Sequence, residues 1–222
     1  MRGAYFILAL SASLGRADSL DAVLTRMDQA AKTFHSLSAD VRRTDYSSLF
    51  SETKGEDGKF KMMKRGKTVI LLAEFIGQDA RTIGIAGTTV QIYHPKANSV
   101  DEYDTRKYSK SADLLILVGF GTSRADLEKK YTISLGASET IGNTKTTRID
   151  LLPKSKEEKN FFNMIQLWIP EDKGNPIQEK ILSGKESKDY NLLAYSNMKI
   201  NPDLPESAFE LKLPAGVKPI KP

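Results

Sequence analysis

The chain has 222 residues, of which 40% are hydrophobic and 27% are charged, and its formal net charge is +5. It contains no cysteine, which excludes a disulfide scaffold and lipidation at an N-terminal cysteine. Basic and acidic residues are interleaved, as in 154–159, and that mixture is typical of a solvated surface rather than of a nucleic-acid-binding face.

The first seventeen residues have the pattern of a secretory signal peptide. Arg2 makes the start basic, an apolar run covers 4–14, and Gly15 and Ala17 are the small residues that a signal peptidase reads. The run is too short to span a bilayer. A core helix or a membrane anchor is the alternative interpretation. We expect cleavage after Ala17, and a mature chain, 18–222, that forms a single domain.

Helical periodicity is clearest in 19–34, where apolar residues recur every three or four positions behind two capping residues, Asp18 and Ser19. After His35 the period changes to two, which predicts strands. Many short strands about ten residues apart favour an antiparallel sheet, sandwich or barrel. The Pro-rich tail from 201 leaves little room for regular structure. The predicted strands are 37–42, 59–64, 68–76, 80–85, 89–93, 132–135, 144–151, 163–169, 176–182 and 191–198.

One apolar block, 112–120, departs from the strand rhythm. Its leucines and the possible cap Ser111 favour a short helix. A helix that is apolar on all sides is buried on all sides, or it meets a ligand as well as the protein. It is therefore either a core helix or a lid over an apolar cavity. The residues expected to form the lid are Leu114, Leu115, Leu117 and Phe120.

Apolar side chains are predicted on both faces of the central strands. Met62 and Met63 are adjacent, so one lies on each face. If one face packs on helices and the other surrounds a cavity, both must be apolar, and methionine suits a cavity for flexible chains. A sheet covered on both faces, without a cavity, is the alternative. The predicted lining residues on strands are Met62, Met63, Leu71, Phe75 and Trp168.

Signals for catalysis are weak. His35 and His94 are far apart and have no metal-ligand spacing. No Gly-x-Ser-x-Gly motif occurs. The stretch 66–68 looks like the end of a phosphate-binding loop, but Lys61 stands where that loop requires glycine. We therefore expect neither an enzyme nor a cofactor or metal site.

The order of these elements resembles the periplasmic outer-membrane lipoprotein carriers, the LolA-like lipoprotein-sorting family. The likeness covers nearly the whole mature chain, and it depends on the order of weak motifs rather than on any one of them. This chain has Gly66 where the carrier has proline, and Arg42-Arg43 where the first strand of the family is usually less charged. The stretches that carry the resemblance are 33–37, 58–65, 86–95, 114–120, 201–202 and 209–217.

The resemblance implies a mainly β fold: an incomplete, strongly curved antiparallel barrel with an N-terminal helix and a short lid helix covering an apolar cavity. It implies a periplasmic, monomeric carrier of the acyl chains of lipidated proteins, without binding to nucleic acid. The expected partners are an inner-membrane lipoprotein-releasing ABC transporter as donor and an outer-membrane acceptor. Arg65 matches the family arginine that bonds the lid and controls its opening.

Three other functions stay open at this point. The first is an envelope lipid-binding sensor or regulatory domain of the same fold. The second is a hydrolase acting on envelope lipids, which needs a reactive serine or an acid pair that the sequence does not reveal. The third is a structural envelope protein.

Overall fold

The computed structural model of the protein describes residues 18–66, 68–104, 118–183, 188–217 and 219–220. The predicted signal peptide, the predicted lid residues Leu114, Leu115 and Leu117, and Lys67 lie outside these ranges. No helix in the described ranges is both long enough and apolar enough to cross a membrane.

The described elements are two α-helices, two short 3-10 helices and twelve strands. The α-helices are α1 (Leu20–Thr33) and α2 (Arg124–Lys130), and the 3-10 helices are Glu158–Asn160 and Glu206–Phe209. The strands are β1 (Ser36–Ser47), β2 (Glu52–Arg65), β3 (Thr68–Ile76), β4 (Arg81–Ala86), β5 (Thr89–His94), β6 (Ser99–Asp104), β7 (Tyr131–Ile141), β8 (Thr144–Pro153), β9 (Phe162–Pro170), β10 (Gln178–Ser183), β11 (Tyr190–Ile200) and β12 (Pro219–Ile220).

Local interactions define both ends of helix α1. The Ser19 side chain caps the N-terminus by accepting from the Ala22 amide at 3.2 Å. Asp18 accepts two hydrogen bonds from Arg26, at 2.9 and 2.5 Å, which ties the preceding residue to the helix. The helix ends at Phe34, whose backbone is extended. One face of α1 is therefore fixed against the sheet, and it buries Val23, Leu24 and Met27.

The junction between α1 and β1 is held by Asn201. Its side-chain oxygen accepts from the His35 amide at 2.7 Å, and its side-chain nitrogen donates to the Thr33 carbonyl at 2.8 Å. Its backbone has a φ of +57°, a conformation that asparagine tolerates better than most residues. Asn201 thus satisfies both the end of the helix and the start of the strand.

All the described strands form one large, curved, unclosed sheet. Its order is β12-β6-β5-β4-β3-β2-β1-β11-β10-β9-β8-β7. Two antiparallel meanders, β1 to β6 and β7 to β11, meet where β1 pairs with β11, and β12 pairs in parallel with β6. Edge strand β7 shifts register against β8 between Leu135 and Ser138, which is a β-bulge. The expected mainly β, incomplete barrel is confirmed.

The inner face of the sheet is the face that carries Leu37, Met62, Leu71, Leu167 and Leu193. It holds two clusters of buried apolar side chains. The first cluster lies mainly on β1 to β5 and β11, and contains Phe34, Leu37, Ala39, Val41, Phe60, Met62, Leu71, Ala73, Phe75, Ile83, Ile85, Val90, Phe120, Leu193 and Tyr195. The second lies on β7 to β10 beneath α1 and α2, and contains Val23, Leu24, Met27, Leu127, Tyr131, Ile149, Leu151, Phe162, Ile165, Leu167, Ile169 and Ile181.

The outer face differs between the two meanders. On β3 and β4 it is partly covered by the chain after the second 3-10 helix. Leu72 is buried there, and a side chain added at Gly84 would meet Leu211. On β8 and β9 the outer face is polar: Arg148 and Gln166 both donate to Asp150, each at 2.9 Å. Only the inner face is therefore apolar across both meanders.

Strand β6 and helix α2 are among the described elements that the sequence did not predict. Strand β6 continues the first meander beyond β5. It contains a single buried residue, Val100, and its position depends on pairing with β5. Helix α2 is short and buries only Leu127 of its seven residues. Its cap Ser123 accepts from the Asp126 amide, and the Arg124 amide donates to Asp28 of α1 at 3.0 Å.

Candidate functional site

Phe120 lies just after the point where the described chain resumes at residue 118, and its side chain packs in the first apolar cluster. It is 2% exposed. Its ring lies edge-on to Tyr195 with centroids 5.3 Å apart, and 6.3 Å from the ring of Phe34. Phe60 completes this aromatic group, 5.8 Å from Tyr195. The described end of the apolar block therefore packs onto the inner face, and the role of Phe120 in a lid stays a prediction.

Two glycines allow Phe120 to lie there. Gly119 and Gly121 have φ values of +98° and +61°, where most side chains are strained. A Cβ atom on Gly121 would come within 2.7 Å of the Phe34 ring, and one on Gly119 within 3.0 Å of Pro176. The two glycines therefore let the backbone on either side of Phe120 pack closely against Phe34 and Pro176.

Lys64 makes the polar contact to this part of the chain. Its ammonium group donates to the Gly121 carbonyl at 2.6 Å. Lys64 pairs with Val69 and lies two residues from Met62, so all three share the inner face. A lysine at the end of β2 thus holds the chain immediately beside Phe120.

Arg65 lies on the opposite face. Its guanidinium forms an ion pair with Glu206 of the second 3-10 helix, and both side chains are more than half exposed, 58% and 70%. Arg65 is exposed while its neighbour Lys64 is on the inner face, because a shift of one residue along a strand reverses the face. Its bond to the lid stays a prediction, since 105–117 lie outside the described residues.

The other predicted lining residues divide between the faces. Met62, Leu71 and Phe75 are buried in the first cluster. Met63 is on the outer face, because it alternates with Met62. Trp168 alternates with Leu167, and its indole donates to Glu139 at 3.1 Å on the polar outer face. Its placement does not agree with a role in lining the inner face.

Charged residues form a rim at the far end of the first cluster, around Phe75. The guanidinium of Arg81 lies 4.6 Å from the Phe75 ring centre and makes two hydrogen bonds to Glu56, at 2.8 and 2.5 Å. Arg43 lies 6.0 Å from the same ring. The arginine side chains are mostly buried, with about 15% exposed. The apolar surface thus ends in paired charges.

A buried acid lies at the border of the two clusters. Glu179 on β10 is 0% exposed, and its register partners are Leu193 and Leu167. Neither carboxylate oxygen, nor the hydroxyl of Tyr195, makes a hydrogen bond within the described parts of the chain. Burial raises the pKa of Glu179 well above its ordinary value, and the nearby Tyr195 hydroxyl lowers it by less. Burial likewise raises the pKa of Tyr195.

Sequence reasoning missed Lys64 and Glu179. The signal for Glu179 is its place in the alternation, between Ile177 and Ile181 on the apolar side of the strand. Metal chemistry has no visible site: in the described ranges, no three His, Asp or Glu side chains converge to hold an ion.

No known sequence family matches the chain, and no curated protein sequence matches it. Solved structures do. An uncharacterized conserved protein from Thermus thermophilus aligns with 92% of this chain and 100% of its own length, at 11% identity and a TM-score of 0.58. MucB aligns with 87% of this chain, at 11% identity and a TM-score of 0.54. The chain therefore shares its overall fold with these two proteins.

Other similar structures include a LolA superfamily protein from Nitrosomonas europaea. It aligns with 88% of this chain and 99% of its own length, at 14% identity and a TM-score of 0.42. The chain spans 64% of the length of MucB. At these identities the likeness to the Thermus thermophilus protein and MucB concerns the fold alone, so the function must be argued from this chain's own residues.

Proposed function

We propose that the protein is a periplasmic carrier that binds the acyl chains of lipidated proteins on its inner face and delivers them to the outer membrane. The observation that carries the proposal is the first apolar cluster. It extends over β1 to β5 and β11, and the chain around Phe120 packs on it. The signal-peptide pattern of 1–17 supports export.

The energetics of such a surface suit a carrier. Burial of an acyl chain stabilises a complex by about 0.8 kcal/mol per CH₂ group. A single hydrogen bond from a charged donor, such as that from Lys64 to the Gly121 carbonyl, contributes about 1–3 kcal/mol. A bond of this strength favours the state in which the chain around Phe120 covers the inner face, and it can still break when cargo is released. We propose Lys64 as the polar latch, with Arg65 as the alternative from the family resemblance.

The partners follow from this role. A lipoprotein-releasing ABC transporter in the inner membrane would be the donor, and an outer-membrane protein or surface the acceptor. Leu114, Leu115 and Leu117 stay proposed lid residues.

The adjacent residues Met62 and Met63 provide the test. A lipopeptide should displace a fluorescent fatty-acid probe from the mature protein, and Met62→Ala should weaken lipopeptide binding about tenfold. Met63→Ala is the matched control, because the same side chain is removed from the outer face. Equal effects of the two substitutions, or no lipopeptide binding by the unaltered protein, would refute the proposal.

Export has a separate test. Protein recovered from the periplasm should begin at Asp18 when its N-terminus is sequenced. A soluble cytoplasmic protein that retains Met1 would contradict the carrier role, whatever its affinity for lipids.

An envelope lipid-binding sensor of the same fold is the second candidate, because the apolar inner face that supports a carrier would equally support lipid binding by a sensor. It predicts that bound lipid changes the affinity for a membrane-bound regulator, whereas a carrier transfers the lipid to an acceptor membrane. A transfer assay from loaded protein to vesicles separates the two.

A further inference from the structure

Glu179 and Tyr195 place two polar groups inside an apolar face. Glu179 is 0% exposed and Tyr195 is 7% exposed. They lie on neighbouring strands: Glu179 pairs with Leu193, and the Tyr195 amide donates to the Ile177 carbonyl at 2.9 Å. The two side chains are therefore diagonal neighbours on the inner face, where side chains reach each other.

The polar atoms of Glu179 and Tyr195 lie near each other but have no third polar group to bond within the described residues. Within the described residues, the two carboxylate oxygens of Glu179 and the hydroxyl of Tyr195 make no hydrogen bond of normal length and angle. A buried polar group without a partner lowers stability, so a leucine would serve the fold better. An unpaired buried acid beside an apolar surface is typical of a site that waits for a ligand group.

The position joins this pair to the proposed acyl-chain surface. Tyr195 belongs to the first cluster and contacts both Phe60 and Phe120. The register partner of Glu179 on β9, Leu167, belongs to the second cluster. An acyl chain lying along the first cluster would therefore bring its polar end to this border.

We infer that Glu179 and Tyr195 form the polar end of the binding site and select an acyl chain attached through an amide. This inference rests on the proposed function and names its ligand chemistry.

The choice of an amide follows from hydrogen-bonding capacity. A buried carboxyl in its neutral form has one O–H donor and one carbonyl acceptor, and the tyrosine hydroxyl can also donate and accept. A secondary amide has one N–H donor and one C=O acceptor, so it satisfies both groups. An ester has acceptors only and leaves an acceptor of Glu179 unpaired. A phosphate or carboxylate would add a negative charge beside an acid.

The test uses three probes of equal chain length: N-methylmyristamide, methyl myristate and N,N-dimethylmyristamide, which lacks the N–H. Each competes with a fluorescent fatty-acid dye for the mature protein. We expect the secondary amide to bind about tenfold more tightly than the other two. Glu179→Leu should remove that preference and leave the ester affinity within about twofold. Glu179→Gln, which keeps a donor and an acceptor, should retain most of it.

The outcomes separate this inference from the proposed function. Equal binding of the three probes, or a preference that survives in Glu179→Leu, overturns the amide site and leaves the carrier intact. Failure of all three probes to displace the dye overturns both. Thermal melting of each variant checks folding, and Glu179→Leu should melt no lower than the unaltered protein because it removes an unpaired buried acid.

Discussion

The two halves of the sheet bury apolar side chains in different ways. In the second meander, α1 and α2 cover the inner face, and their Met27 and Leu127 belong to the same cluster as Ile149 and Leu167. In the first meander, the described cover of the inner face is the chain around Phe34 and Phe120. In the proposed carrier the two halves of the sheet thus have separate roles: the helix-covered half stabilises the fold, and the other half binds the apolar ligand.

The charges of the two halves show the same division. In the second half, Asp18 binds Arg26 and accepts from Thr147 at 3.0 Å, which fastens α1 to β8. The bond from Arg26 is the main cause that lowers the Asp18 pKa. In the first half, Arg81 and Glu56 pair at the end of the apolar surface around Phe75. Charges fasten elements in one half and border a surface in the other.

The largest expected effect tests this division directly with two buried isoleucines. Ile149→Ala in the helix-covered half should lower the free energy of unfolding by about 2–5 kcal/mol and leave lipopeptide binding unchanged. Ile83→Ala in the first half should lower the free energy of unfolding by less than Ile149→Ala does. It should also weaken lipopeptide binding, because Ile83 belongs to the proposed acyl-chain surface. Urea denaturation and dye displacement measure both. Equal destabilisation without a binding change would make the first half an ordinary core.

The next effect concerns the border between the halves. Glu179→Gln should raise the free energy of unfolding at pH 7 by about 1–3 kcal/mol, since an unpaired buried acid is removed. The folded pKa of Glu179 lies above its ordinary value of 4.5. Folding therefore retains a proton that the unfolded chain releases, and stability falls as pH rises above that value.

The gain from Glu179→Gln should accordingly be small at pH 4 and should grow toward pH 7 in urea denaturation. The exposed Glu171→Gln serves as the matched control and should show no such growth. A stability gain that does not change with pH would mean that Glu179 has the same protonation state in the folded and the unfolded protein.

A smaller effect is expected where α1 meets β1. Asn201→Ala should lower the free energy of unfolding by about 1–2 kcal/mol, because it removes the bonds to His35 and Thr33. Asn201→Asp should cost about half as much, since it keeps the acceptor for the His35 amide. Asn201→Gly separates backbone strain from the lost bonds. A fully stable alanine variant would show that the junction is held by packing alone.

The smallest stability effect is expected at the latch. Lys64→Met should lower the free energy of unfolding by only about 1 kcal/mol, because the lysine is exposed and its bond is at the weak end of the range for charged donors, yet it should impair release of loaded lipopeptide to acceptor vesicles. It removes the bond to the Gly121 carbonyl and keeps the apolar stem. Arg65→Leu should transfer like the unaltered protein. The reverse result, normal transfer by Lys64→Met and poor release by Arg65→Leu, would restore the arginine latch.

The fold was predictable because alternation and turn residues are local. The faces were harder to assign, and Met62 and Met63 show why. Both are apolar, so the sequence does not say which one faces inward, and the roles of Lys64 and Arg65 follow from that choice. Trp168 poses the same problem, because a large aromatic residue can also cover a polar outer face. Strand β6 depends on pairing with β5, a contact that no local pattern encodes.

The bulge in β7 has a consequence for behaviour in concentrated solution. An edge strand with a regular ladder of free amide and carbonyl groups is a template on which a second molecule can polymerise. The register shift between Leu135 and Ser138 interrupts that ladder in β7, and at the other end of the sheet the short strand β12 covers β6. In the proposed carrier, which would open its apolar face to cargo, both edges of the sheet would thus offer neighbouring copies little backbone on which to add strands.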